Sequence, residues 1–360
     1  MTDIDLKIHA ELPQRRDWGI GCIGSGWIMR DIQLAAYAEA GFEVVAIASR
    51  TEERARTAAA QWGIPTVHRD WRELLADARV RIVDVAYPPD QQLEIVREAV
   101  AHADHIEGIL AQKPLALDFA EAREIVRLCD EAGIALAVNQ NMRYDQSMRA
   151  LKSLLDGGQL GEPVVGEIVL NTPAHWQDYI RDYERTTLLN LSVHHLDVFR
   201  HLFGDPDAIM TSVRPDPSLD HPNADGSAFY VLEYADGLRA VGVDNCFSWA
   251  DPRIDWRVEG TEGIAKGTIG WPDYPEGSPS TIDYTLRGEP GTWHRPRWQE
   301  RWFPQAFIGT MAQLLRAVEG GGEPEISGRD NLKTMALIEA AYRSAAERRT
   351  VELQEILAHA

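Results

Sequence analysis

Residues 21–30 read GCIGSGWIMR. They close an apolar run, WGIGCI from Trp18, and open a stretch with helical spacing. Two readings compete there: a turn that simply needs glycine, or a loop whose backbone N–H groups and following helix N-terminus cradle a pyrophosphate. Gly24 would permit the tight turn and Gly26 the close approach of an anion. The third glycine of such a loop would fall at position 29, where Met29 stands. The decision therefore rests on what surrounds the loop.

Downstream, short β-branched runs alternate with amphipathic helical segments: FEVVAIAS, TEERARTAAAQW, RIVDVAY, DQQLEIVREAVAHA, HIEGILAQ, DFAEAREIVRLCDEAG and IALAVN. Runs of this kind are strands buried on both faces by crossover helices, which predicts an α/β fold with a doubly wound parallel sheet of the Rossmann type. After about Asn141 the rhythm changes. One helix, DQSMRALKSLLD, precedes longer runs with hairpin signals at YADGLRA and EGTEGIAKG, so an α+β domain with a mostly antiparallel open sheet is expected. Two helices, FIGTMAQLLRAVEGG and NLKTMALIEAAYRSAAERR, complete it. The expected division is a tail over 1–16, a dinucleotide-binding domain over 17–140, and a substrate-binding and oligomerisation domain over 141–360.

Composition narrows the partners. The 360 residues carry a net charge of −20, with 44% apolar and 26% charged residues, so a soluble globular chain is expected that repels nucleic acid and anionic membranes and takes a small molecule. The amino terminus lacks the apolar stretch of a targeting segment, and Cys22, Cys129 and Cys246 are scattered. Reduced thiols in a cytoplasm, and no metal site, are the expectation.

Open parallel sheets bind ligands at the carboxyl ends of their strands. At the end of the second strand, where an acidic residue would bind the ribose of NAD, the chain has Ser49-Arg50-Thr51. A hydroxyl and a guanidinium suit a 2′-phosphate, which inclines the reading to NADP over NAD. ILAQKPLAL places Lys113 directly after a strand, where desolvation can lower its pKa. In TTLLNLSVHHLDVFRHLFG, helical spacing puts Asn190, His194, Asp197 and His201 on one polar stripe while His195 lines up with Leu191, Phe199 and Leu202. His194 is thus the better catalytic candidate of the adjacent pair.

Together the glycine loop, AYPPD, AQKPLAL, NLSVHHLD and the GRDNLKTMALIEAAYRSA helix resemble the Gfo/Idh/MocA oxidoreductase family over nearly the whole chain. The Glu-Lys-Pro motif of that family appears as Gln112-Lys113-Pro114, and its Asp-x-x-x-His pair as Asn190-x-x-x-His194; Gln112 and Asn190 are the departures. The resemblance implies reversible oxidation of a secondary alcohol on a sugar, anhydrosugar or polyol with hydride passing to nicotinamide. His194 would be the general base, Lys113 would stabilise the alkoxide, Asn190 would orient substrate or histidine, and Asp197 would fix the imidazole tautomer. Gly24, Ser25, Gly26, Trp27, Ile28, Ser49, Arg50, Thr51, Tyr87, Pro88, Gln112, Lys113 and Asn141 are expected at the cofactor. Arg143, His175 and Trp176, with Lys113, Asn190 and His194, are expected at the substrate, Arg143 having an interdomain salt bridge as its alternative. Two other readings stay open: an NAD-dependent glycosidase, and a non-catalytic sensor that keeps the dinucleotide site. A homodimer or homotetramer is expected to cover the open sheet.

Overall fold

The computed structural model describes residues 4–173, 180, 183–216, 225–271 and 277–358. His175 and Trp176 lie outside the described residues. Six parallel strands form the first sheet: β1 (Ile20–Ile23), β2 (Val44–Ala48), β3 (Thr66–His68), β4 (Ile82–Val85), β5 (Gly108–Ala111) and β6 (Ala135–Val138). Their order is β3-β2-β1-β4-β5-β6, all pairs parallel. The order reverses between β1 and β4, the switch point at which such sheets receive ligands. Helices α1 (Leu34–Ala40), α2 (Glu52–Trp62), α3 (Trp71–Leu75), α4 (Pro89–Ala99) and α5 (Phe119–Ala132) connect the strands. All four residues of β1, β4 and β5 are buried, as a sheet covered on both faces requires.

By internal contacts the chain forms two compact units, one of residues 10–141 with 303–332, the other of residues up to 9, 142–302 and 333–360. The segment 303–332 therefore belongs with the parallel sheet, whereas the sequence reading kept all of 141–360 together. The reason is the far end of that sheet. Helix α8 (Ala306–Gly320) covers β5 and β6, and Gly108 leaves room for it: a Cβ there would stand 3.0 Å from Leu314 and 3.1 Å from Val318. Past α8, Ile326 and Ser327 bond to the edge of β6.

The second unit holds the other sheet: β7 (Pro163–Asn171), β8 (Ala208–Arg214), β9 (Ser227–Glu233), β10 (Arg239–Asn245), β11 (Arg253–Gly260), β12 (Gly263–Ile269), β13 (Thr281–Leu286) and β14 (Val351–Glu352), in the order β13-β12-β11-β7-β10-β9-β8-β14. All neighbours are antiparallel except β7 and β10. Both hairpins expected from turn residues form, β9–β10 and β11–β12. Glycines on the inner face seat aromatic rings: Gly242 lies against its cross-strand partner Tyr230, Gly267 against Trp256, and Gly166 against Phe203. A side chain at any of them would displace a ring from the core.

One buried acid in the first unit has a readable pH signature. Asp84 on β4 accepts hydrogen bonds from Tyr37 Oη at 2.5 Å and Gln33 Nε2 at 2.6 Å, yet burial still raises its pKa to about 7. The unfolded carboxyl ionises near pH 4, so the unfolded chain sheds this proton first as pH rises. The acid's contribution therefore erodes from about pH 4 and is fully lost above about pH 7. Asp84→Asn, which keeps an acceptor and carries no charge, should unfold with a free energy higher than wild type by a few kcal/mol at pH 8. The gap should shrink toward pH 4 in denaturant titrations; an equal gap at both pH values would contradict the assignment.

Candidate active site

The glycine loop leaves β1 at the switch point. Gly24 has a φ of +115°, and a Cβ there would stand 2.6 Å from Ala86 O, so glycine is required on both counts. Its N–H donates to Ala48 O at 2.8 Å, tying the end of β1 to that of β2. Gly26 is exposed, and a Cβ on it would meet nothing within 4 Å. That open space, before a helix N-terminus, fits a pyrophosphate. The helix opens with a π-helical turn over Ile28–Gln33 in which Met29 is buried completely. The position of the missing third glycine is thus filled by an apolar side chain packed inward.

Around this loop the expected cofactor residues gather at the strand ends. Ser25 Oγ donates to Ser49 Oγ at 2.8 Å. Arg50 is exposed at the end of β2, and its backbone N–H bonds the Tyr87 hydroxyl, whose pKa burial raises. Thr51 and Pro88 stand at the N-cap positions of α2 and α4, and the Trp27 ring lies 5.8 Å from that of Phe303, inclined by 33°. At the end of β6, the Asn141 side chain donates to Asn139 O at 3.3 Å. The Asn139 amide is buried with neither atom bonded to protein, a cost a bound polar group would relieve.

Lys113 follows β5, and its loop is held by a residue the sequence reading passed over. Gln92 on α4, fully buried, donates from Nε2 to Gln112 O at 3.0 Å and Pro114 O at 2.9 Å, and accepts from Gln112 N at 2.8 Å. One amide thereby satisfies three backbone groups on either side of Lys113. Gln112 turns its own Oε1 to the Lys113 N–H at 3.1 Å. The Lys113 ammonium is desolvated by its surroundings, which lowers its pKa to about 7. DQQ in the helix after AYPPD was the available signal, but nothing in one sequence marks which glutamine faces inward.

In the other unit, Asn190 sits in a π-helical turn, Leu188–Ser192, that leads into α7 (Val193–Phe203), and His194 is in the first turn of α7. Both are buried to the same degree, 7% exposed. The turn is anchored by Asp225, which accepts from the backbone of Thr186 at 2.8 Å and of Leu188 at 2.5 Å and from Tyr342 Oη at 2.9 Å. Burial raises the Asp225 pKa to about 6 against these bonds. The Trp302 indole meets the His194 ring edge-on at 5.9 Å. The adjacent histidines have different surroundings: His195 Nδ1 lies 2.6 Å from Asp244 Oδ1, and Asp244 also accepts from Tyr230 Oη at 3.1 Å, deep in the core.

Two expected roles need correction. Asp197 does not hold the His194 ring. Its oxygens accept from Arg143 Nε at 2.6 Å, Arg143 Nη2 at 2.7 Å and Thr334 Oγ1 at 2.9 Å. Arg143, 4% exposed, thus forms a bidentate pair within its own unit rather than across a domain junction. Arg200 extends the network to Thr334 at 2.7 Å and Asp205 at 2.8 Å. A buried arginine left without its carboxylate costs about 3–5 kcal/mol. Asp197→Ala should lower the unfolding free energy by that order in guanidinium titrations, and pairing it with Arg143→Met should recover most of the loss. A double variant no more stable than Asp197→Ala would refute this account.

This site defines a class of protein: a two-unit oxidoreductase whose parallel sheet binds a dinucleotide. Residues 18–140 match the oxidoreductase family model for an NAD-binding Rossmann fold, and residues 152–353 match the C-terminal alpha/beta domain of the same family. The chain belongs to the Gfo/Idh/MocA oxidoreductase family. A D-apiose dehydrogenase from Paraburkholderia graminis is 30% identical over 369 residues, covering 100% of this chain and 96% of its own. A myo-inositol 2-dehydrogenase from Thermotoga maritima is 27% identical, covering 87% and 91%. Among solved structures, an oxidoreductase from Agrobacterium radiobacter in complex with NAD+, L-tartaric acid and magnesium superposes with a TM-score of 0.80 at 26% identity, covering 94% of this chain and 99% of its own. No helix among the described residues is long and apolar enough to cross a membrane.

Proposed function

We propose that the protein is a nicotinamide-dependent dehydrogenase that oxidises a secondary alcohol of a sugar, anhydrosugar or polyol. The observation that carries this reading is Lys113, clamped at a strand end and titrating near neutrality. Relatives named for D-apiose, myo-inositol and 1,5-anhydro-D-fructose support the substrate class. Gly24, Ser25, Gly26, Trp27 and Ile28 hold the pyrophosphate, with Tyr87, Pro88, Gln112 and Asn141 along the same strand ends. Arg50, exposed between Ser49 and Thr51, favours the 2′-phosphate of NADP through charge-assisted bonds.

Oxidation removes a hydride from carbon and a proton from oxygen. The nicotinamide, when bound, supplies the hydride acceptor. The chain's own residues manage the proton: His194 accepts it, and Asn190 orients the hydroxyl by hydrogen bonding, since an amide cannot take a proton as a carboxylate can. Lys113, as the ammonium, steadies the negative charge that develops on oxygen.

The deciding experiment follows nicotinamide absorbance with NAD and NADP separately, against D-apiose, myo-inositol, 1,5-anhydro sugars and further polyols. Because the ammonium that steadies the alkoxide loses its proton as pH rises past about 7, kcat/KM for oxidation should fall through that value and level off above it. Lys113→Met should abolish this limb and lower kcat by roughly 10²–10⁴. Cofactor binding without turnover on any substrate would favour a sensor, and release of an aglycone with no net cofactor change would favour a glycosidase.

The outer face of the second sheet is assigned to a second copy of the chain. Met210 and Phe229 are exposed there, and Val231, Val241 and Val243 pair beside them, an apolar stripe that continues to Val169. Charged residues of both signs, Glu167, Arg257, Asp255 and Lys266, flank it, as suits a self-complementary interface. Light scattering should return the mass of a dimer or tetramer, and Phe229→Glu should lower it. A monomer at micromolar concentration would exclude the assignment.

A further inference from the structure

A second cluster of ligating side chains lies in the first unit, on the turn that leads into β5. A 3-10 turn, Val100–His102, follows α4. His102 O accepts from His105 N at 3.1 Å and Ile106 N at 2.9 Å, which folds residues 102–106 into one tight turn. One ligand atom each from His102, Asp104 and His105 falls within 4.8 Å of the others, the one such group among the described residues. The two imidazoles approach at 5.6 Å with planes inclined by 60°, so they converge without stacking.

The hydrogen bonding of His105 points to what belongs there. Its Nε2 is 3.0 Å from Leu75 O, at the end of α3. A carbonyl can only accept, so Nε2 carries the proton and the neutral ring presents a bare lone pair at Nδ1. Facing that lone pair at 3.3 Å is Asp104 Oδ1, another acceptor. Two acceptors at this distance repel unless a proton or a metal ion lies between them. The spacing matches the edge of a tetrahedron with metal bonds of about 2.0–2.1 Å. A ring nitrogen donated to a backbone carbonyl is also the arrangement that orients a metal-binding histidine. Arg81, which bonds His105 O, has its charge paired with Glu107, so it does not neutralise Asp104.

We propose that His102, Asp104 and His105 form a site for a divalent transition metal of the zinc class, with water completing the shell. Two imidazoles and one carboxylate suit zinc or cobalt and select against magnesium and calcium, which take oxygen ligands. Lys113 leaves the opposite, carboxyl end of β5, so the ion braces the turn itself, which reaches α3 through the His105–Leu75 hydrogen bond, and is not a reactant.

The test uses the full chain, stripped with chelator and titrated with Zn(II), then with Co(II) as a spectroscopic substitute. One zinc per chain, tetrahedral cobalt absorption, and a thermal midpoint that rises with zinc are expected. His102→Ala and His105→Gln should each weaken zinc binding about tenfold or more and lose the thermal shift, while turnover without added metal stays at the wild-type rate. Zinc binding unchanged in both variants would overturn the site. So would the absence of zinc binding to the wild type, which would leave a proton between Asp104 and His105.

Discussion

A polar group taken out of water must find a partner, and that single constraint positions both segments expected to carry chemistry. Leaving a buried backbone N–H or C=O unbonded costs about 1–3 kcal/mol. The loop around Lys113 leaves the sheet with such groups exposed to the interior, and Gln92 answers three of them at once. The turn before His194 poses the same difficulty, and Asp225 answers it by accepting from two backbone N–H groups ahead of α7. In both places a side chain from another part of the chain determines where a candidate catalytic residue stands. The loop of the lysine is held by the amide of Gln92 and the turn before the histidine by the carboxylate of Asp225.

The same accounting explains how four polar residues on one helix came to different ends. Asn190 and His194 keep a little exposure, whereas Asp197, one turn further on, is drawn into Arg143, Thr334 and Arg200. Once Arg143 is buried, its charge demands a carboxylate close by, and Asp197 supplies it. His195 meets a similar fate with Asp244 and Tyr230. The region thus consists of a buried pair, Asn190 and His194, backed by a dense network that fixes its helix and limits side-chain wandering.

Chain order, hydrophobic period and turn residues were enough to derive five of the six parallel strands, the change of architecture after Asn141 and both hairpins, because each depends on neighbours within about ten residues; the three-residue β3 and the short α3 after it are too brief to show a period. The glycine loop after β1, the place of Lys113 just past β5 and the different sides taken by His194 and His195 were legible for the same reason: strand ends and helical spacing are local properties. What no local pattern contains is the partner of a buried charge. Asp197 stands on the same stripe as His194, yet it pairs with Arg143, 54 residues away. Gln92 looks like any helical glutamine until β5 is beside it, and α8 looks like part of the second half until the uncovered end of the parallel sheet claims it. The sequence by itself determined which elements form and which residues could do chemistry, since backbone propensity and amphipathic period are written residue by residue. Only the tertiary structure decided which polar groups are spent on holding the fold, because desolvation and pairing are settled by whatever the fold brings within three ångströms.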